Sequence, residues 1–385
     1  MFNLSKHKKG NFTRINPPYV NSSKIHDRDG DLDLIRMFAM LWVILVHCIF
    51  WMGLWDSGTA LTLRSFILFE MPLFFFVTGA VLYKSKTNFK KFYLRRFQRI
   101  LIPYWVYAIL CVLLNIILVV FLQGDYLDVG ALIFSWILPI DQYISYVPYL
   151  TGALWFIPIY LLVILFFPLL KYMRGKIEST FPRNGWVSWL PLIVPVLIIM
   201  LLDVTNANFA GISYFRETVF YLFWVYLGTF YDSIKDLSRR RVVFALIIVA
   251  MSALLICLFG QLGLYSYYMQ NNKFPPNIMF VLFSICAMVM LYLLKDILLK
   301  GFKILLQTPL KIVLNEFKNH CYSVYLYQTF AFCALYLIMH IFILPICNIT
   351  SPYLLLIVYL VITIPLCAFF GKVFGIIEKI QFINR

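Results

Sequence analysis

The apolar stretch that opens near residue 33 carries ionisable side chains in a fixed pattern: Asp33-Leu-Ile-Arg36, ten further residues, then His47. Eleven residues of helix turn through roughly 1,100°. Arg36 and His47 therefore lie within about 20° of each other on one face, roughly 16 Å apart along the axis. One stripe then carries a cation near one membrane edge and a titratable base deep in the apolar layer. Ionisable groups at that depth are costly and by default mark function. A histidine bonded between two helices is the bland account of His47, and the face it shares with Arg36 favours chemistry. A second buried charge, Glu70, falls in the run SFILFEMPLFFFVTGAVLY. At 1.5 Å per residue, Glu70 lies about 10 Å and His47 about 7–8 Å below the same edge. If the two helices pack together, the carboxylate would orient the ring and favour its protonated form, as in an acid–base relay. Pairing of Glu70 with another buried donor is equally open.

The segment 84–99 reads KSKTNFKKFYLRRFQR, with seven basic residues and no acidic one. Such a loop can simply fix topology and touch anionic head groups. Arg96 and Arg99 add something sharper, because on a helix the i, i+3 spacing projects both guanidinium groups from one side. Paired planar forks suit a phosphate or pyrophosphate. With Arg95 and Lys91 beside them, they are the expected anchor for the phosphates of an acyl-CoA. No metal is expected.

These residues need membrane helices to position them, and the composition supplies them. The 385 residues are 62% hydrophobic and 13% charged, with mean hydropathy +0.85, whereas soluble domains carry about 25% charged residues. Spans of near-bilayer length are expected at 33–52, 63–83, 101–122, 152–170, 188–203, 213–231, 242–263, 277–294, 320–343 and 353–376. The fold class is therefore all-α and polytopic, in a cell (plasma or inner) membrane. With the N-terminus in the cytoplasm, the inner segments hold 28 of the 33 Lys and Arg residues. That asymmetry predicts both termini inside, and it reads the net charge of +16 as a topology signal rather than a nucleic-acid surface. The chain divides into a polar tail, 1–32, a membrane domain, 33–376, and a short tail, 377–385. An apolar piece at 131–139 is too short to cross, and 300–317 has the pattern of an interfacial amphipathic helix. The eight cysteines show no CxxC spacing, so neither a disulfide framework nor a metal site is expected.

Taken together, the chain resembles the acyltransferase family 3 integral membrane proteins over essentially its whole length. The first-span motif DxxR-x10-H appears as Asp33, Arg36 and His47. The pattern PLFFFxSG appears as Pro72-Leu-Phe-Phe-Phe-Val-Thr78-Gly79, with Thr where Ser is usual. RxxR and a following proline correspond to Arg96, Arg99 and Pro103, and a Trp-Phe pair to Trp155 and Phe156. Where the family reads SYxxYLxH, this chain has CYSVYLYQ, ending in Gln328.

The resemblance implies transfer of an acyl group, most often acetyl, from acyl-CoA to a hydroxyl of a cell-envelope or extracellular glycan. The acceptor would be a glycan or glycolipid, with polysaccharide-assembly proteins as possible partners. It ties activity to His47, Arg36 and the Arg96/Arg99 pair. His47 would act either as a base on the sugar hydroxyl or as a covalent carrier of the acyl group. Tyr149 and Trp155 are candidates to stack on the acceptor, with an interfacial aromatic belt as the alternative for most such aromatics. A transporter or flippase of a glycan or small polar solute suits ten spans equally well, though the chain lacks paired halves with matching interrupted helices. An assembly scaffold would need no intramembrane histidine. His47-dependent turnover of a CoA thioester separates the first reading from both others.

Overall fold

The computed structural model describes residues 29–54, 64–85, 88–123, 127–140, 142–147, 149–182, 185–346, 349 and 351–379. Most of the expected N-terminal tail (1–28), the end of the C-terminal tail (380–385) and Cys347 lie outside them. From Asp31 onward the chain forms one unit. Its main helices are α1 (Gly30–Trp51), α2 (Glu70–Tyr83), α3 (Phe89–Ile116), α4 (Val129–Ile137), α5 (Phe156–Thr180), α6 (Ile193–Val204), α7 (Ile212–Gly228), α8 (Arg239–Gln261), α9 (Ile278–Leu305), α10 (Lys311–Asn319), α11 (Cys321–Ile338) and α12 (Pro352–Phe374). No strand occurs among the described residues. In a bilayer core helices satisfy their own backbone polar groups, and long apolar runs have few other options.

Nine helices among the described residues are long and apolar enough to cross a membrane. They match the expected spans with one exception. The run expected at 213–231 is α7, whose 17 residues extend about 25 Å, somewhat short of a full crossing. Almost every residue of α7 from Glu217 to Gly228 is buried, so it is a central helix enclosed by its neighbours. The apolar piece near 131–139 is α4, which buries Leu132 and Trp136. It is pinned to α3 by the Tyr104 hydroxyl, which donates to the Trp136 carbonyl (2.9 Å). The stretch 300–317 is shared between the end of α9 and the nine-residue α10, with Pro309 between them.

Side-chain contacts sort the helix ends into two groups. At one end Lys303 pairs with Asp31 (2.9 Å) and Lys84 with Asp232 (3.1 Å), and Arg99 faces Glu378 (3.9 Å). Lys171 donates to the carbonyls of Tyr83 and Ser85. This is the basic end of the molecule. At the opposite end the Met269 amide donates to Ser65 (3.0 Å) and the Ile278 amide to Asp203 (2.8 Å). Asp203 also takes the Arg216 guanidinium.

α2 and α7 pack with their backbones nearly touching. A Cβ at Gly79 would collide with the Val225 carbonyl, and one at Gly228 with the Phe76 carbonyl. Small residues of this kind let membrane helices approach closely. Thr78 back-bonds to the Phe74 carbonyl (2.9 Å), a task a serine hydroxyl does as well. Gly79→Leu is expected to force α2 and α7 apart at a cost of about 3 kcal/mol or more. The check is the yield and thermal midpoint of detergent-solubilised protein, with Gly79→Ala showing a smaller loss of the same sign.

Candidate active site

Arg96 and Arg99 lie on α3 as expected, since the helix begins at Phe89 and carries both. Pro103 sits inside that helix and cannot donate to the turn below it. The Tyr322 hydroxyl of α11 donates to the Ile100 carbonyl beside the gap (3.0 Å), and the Tyr327 hydroxyl to the carbonyl of Pro103 itself (3.4 Å). The proline thus ties α3 to α11.

The structure brings the RxxR pair to Arg36. Arg96 lies within electrostatic reach of both Arg99 and Arg36, and Arg36 is held by Asp33 one turn away (3.5 Å). Arg96 is half-buried and makes no ion pair among the described residues. The Nε of Arg95, also buried, has no hydrogen-bond partner among the described residues, while Lys91 is exposed. Glu378 is the local counter-charge. It caps the first turn of α11 by accepting from the Ser323 amide (2.6 Å) and faces Arg99 with its other oxygen. Cationic groups thus exceed their carboxylate partners here, and a phosphate-bearing ligand fits such a donor set.

A second cluster sits further along α1. The Nε2 of Gln328 donates to the Tyr325 carbonyl (2.7 Å), so the amide turns Oε1 towards His47 Nδ1 (2.8 Å). An amide oxygen only accepts, so Nδ1 carries a proton, and in the neutral ring Nε2 then keeps its lone pair. The ring stacks on Trp51 at 4.0 Å with 8° between planes. Trp51 in turn contacts Phe332 and Tyr149, and there is room for it only because residue 152 is glycine: a Cβ there would lie 2.9 Å from the indole. Tyr149 holds a positive φ of 67°, a strained conformation of the kind that concentrates at functional sites. Burial raises its phenol above the ordinary value, so it remains a hydrogen-bond donor.

Glu70 does not meet His47 in the structure. Its Oε1 takes the Lys273 ammonium at 2.5 Å, both side chains being buried, and its Oε2 has no hydrogen-bond partner among the described residues. The relay between Glu70 and His47 is replaced by the alternative pairing with a buried donor. The approach of the segment 269–277 to the opening of α2 decides this, and helix-depth arithmetic alone cannot. Lys273 also lies 5.7 Å over the Trp155 ring and within electrostatic reach of His47. Tyr149 is thus linked to the histidine through Trp51, and Trp155 lies beside Lys273.

Two residues of this site escaped the sequence reading. Lys273 falls between two apolar runs, where nothing in the sequence marks its ammonium as buried. Gln328 was visible as the residue standing in for a family histidine, but its bond to His47 spans 281 residues. Gln328→Leu would leave the Nδ1–H without an acceptor, at about 1–3 kcal/mol. The expected result is a roughly ten- to hundred-fold fall in kcat with KM for the acyl donor unchanged. Gln328→His, which can offer a ring nitrogen, should retain more activity than Leu.

A family model described as an acyltransferase domain matches residues 29–372. No curated protein and no solved structure matches the chain. The matched span takes in every helix from α1 through nearly all of α12, with both clusters inside it, so the chain belongs to acyltransferase family 3 and is a multi-pass membrane acyltransferase.

Proposed function

We propose that the protein moves an acyl group, most simply acetyl, from acyl-CoA to a hydroxyl of a cell-envelope or extracellular glycan. The observation that carries this reading is the arrangement along α1. Arg36 at the basic end and the tautomer-fixed His47 share one face of α1, roughly 16 Å apart by helix rise, and Arg96 and Arg99 of α3 lie beside Arg36. An extended pantetheine arm is of comparable length. The positive-inside asymmetry supports placing the basic end in the cytoplasm, where acyl-CoA is made.

In this reading Arg96, Arg99 and Arg36 grip the CoA phosphates, with Arg95 and Lys91 adding charge at the entrance. The thioester lies along the α1 stripe towards His47. Nε2 removes the proton from the acceptor hydroxyl as its oxygen attacks the thioester carbonyl. The Lys273 ammonium, held in place by Glu70, supplies positive charge near the oxyanion that forms. Collapse of the tetrahedral intermediate breaks the C–S bond, and the CoA thiolate takes the proton back from His47. Trp155 and Tyr149 offer faces on which a sugar ring can stack.

The test is label transfer from radiolabelled acetyl-CoA in membranes. Wild type should label a glycan fraction, and Arg96→Ala/Arg99→Ala should raise KM for the donor by ten-fold or more, each charge-assisted bond being worth about 1.5–3 kcal/mol. Absence of transfer with acetyl-, succinyl- and longer acyl-CoA would reject the assignment. Label that stays on the denatured protein would identify His47 as a covalent carrier instead of a base.

A further inference from the structure

On the far side of α1 from the active-site stripe lies a cavity of about 850 Å³, towards the upper end of the range for small-molecule pockets. Ile35 and Phe38 of α1, Phe76 of α2, Trp224 of α7, Ala245 of α8 and Met288 of α9 contribute to its walls. Leu34 and Phe38 point about 140–180° around the helix from Arg36 and His47, and Ile35 about 100–120°, so this space is separate from the site already described. It exists because α8 packs mainly on α9 and stands off from the rest, burying only Ala245 and Ser252 along its length.

The walls are almost wholly apolar, and the polarity is concentrated at the mouth. Lys235, Arg240, Arg241 and Lys295 gather there, with no carboxylate among the lining residues. Lys235 and Lys295 have their own carboxylate partners, Asp232 (3.5 Å) and Asp296 (2.8 Å). The two arginines do not among the described residues: the Arg241 guanidinium donates to the Asp236 carbonyl (2.8 Å), and Arg240 has no ion pair. They also sit in the first turn of α8, the helix end at which cations are disfavoured, so the protein gains from an anion there. A further unmet group lies in the wall. Trp224 is 1% exposed, and its indole N–H, a donor only, has no acceptor among the described residues.

We propose that this cavity is a binding site for an anionic diacyl phospholipid. Its acyl chains fill the apolar space and its phosphate rests on Arg240 and Arg241. An ester carbonyl of its glycerol backbone accepts from Trp224. The ester requirement sets it apart from a polyprenyl phosphate, which carries the charge and the hydrocarbon but no carbonyl. The proposal does not depend on which acyl group or acceptor the enzyme uses.

The experiment uses the full chain purified in neutral detergent, with phosphatidylglycerol and phosphatidylcholine of identical chains added separately. Retention is read by native mass spectrometry and the thermal midpoint is followed in parallel. Wild type should retain phosphatidylglycerol at least roughly ten-fold better than phosphatidylcholine, the worth of about one charge-assisted bond, and only the former should raise the midpoint. Arg240→Gln/Arg241→Gln should level the two lipids. Because that pair also contributes to topology, Ala245→Trp is run alongside it: every charge stays, the cavity is filled, and retention of both lipids should fall. Equal retention of the two lipids by wild type, or a preference that survives both variants, overturns the proposal. Polyprenyl phosphate retained in preference to phosphatidylglycerol, or a Trp224→Phe variant that holds phosphatidylglycerol undiminished, overturns the assignment of a glycerolipid.

Discussion

His47→Ala is expected to abolish acyl transfer while the protein stays inserted and folded. Loss of a positioned general base costs about 10²–10⁴ in rate, and the same atom, Nε2, would be lost as a nucleophile in the covalent route. The folding penalty is far smaller. The substitution leaves Gln328 Oε1 without its donor, at about 1–3 kcal/mol, and Trp51 without its stacking partner, but the ring is only part-buried and the surrounding helices keep their own contacts. Donor binding should also survive, because Arg36 lies roughly 16 Å away along α1 and the other arginines of the cluster are on α3. The checks are the elution profile in detergent, the affinity for desulfo-CoA and the rate of label transfer. Full transfer without His47 would remove this residue from the chemistry and assign the base to another group of the site.

The second large effect concerns Glu70 and Lys273. Removing one member of a buried ion pair strands the other charge, which costs about 3–5 kcal/mol, whereas replacing both with groups of similar shape is often neutral. Glu70→Gln and Lys273→Met should each lower the thermal midpoint strongly, and the double variant should recover most of that loss. Transfer should not recover with it, since the double variant still lacks the ammonium placed near the oxyanion. The expected pattern is a stability cycle with large coupling alongside kcat values that remain low in all three variants. Recovery of transfer in the double variant would show that the pair only holds the segment 269–277 against α2.

The substitutions expected to cost the most fall at positions that were legible to very different degrees. The fold class follows from the sequence alone because apolar runs of bilayer length leave the backbone few alternatives to helix. The excess of charge at one set of loops follows for the same reason. The Arg36–His47 stripe was also readable, since helix periodicity is a local property and α1 runs unbroken from Gly30 to Trp51. So was the shared side of Arg96 and Arg99. Contacts between helices were beyond the reach of such local arithmetic. Equal depth in the membrane was compatible with a bond between Glu70 and His47, and packing gave each a different partner: Lys273 from the 269–277 segment and Gln328 from α11. The closeness of α2 and α7 needed facing glycines on helices some 150 residues apart in sequence. The cavity behind α1 arises because α8 packs on one neighbour and leaves the others. Periodicity and composition set which residues lie in the membrane and on which helix face; only the packing of helices distant in sequence sets which of them touch.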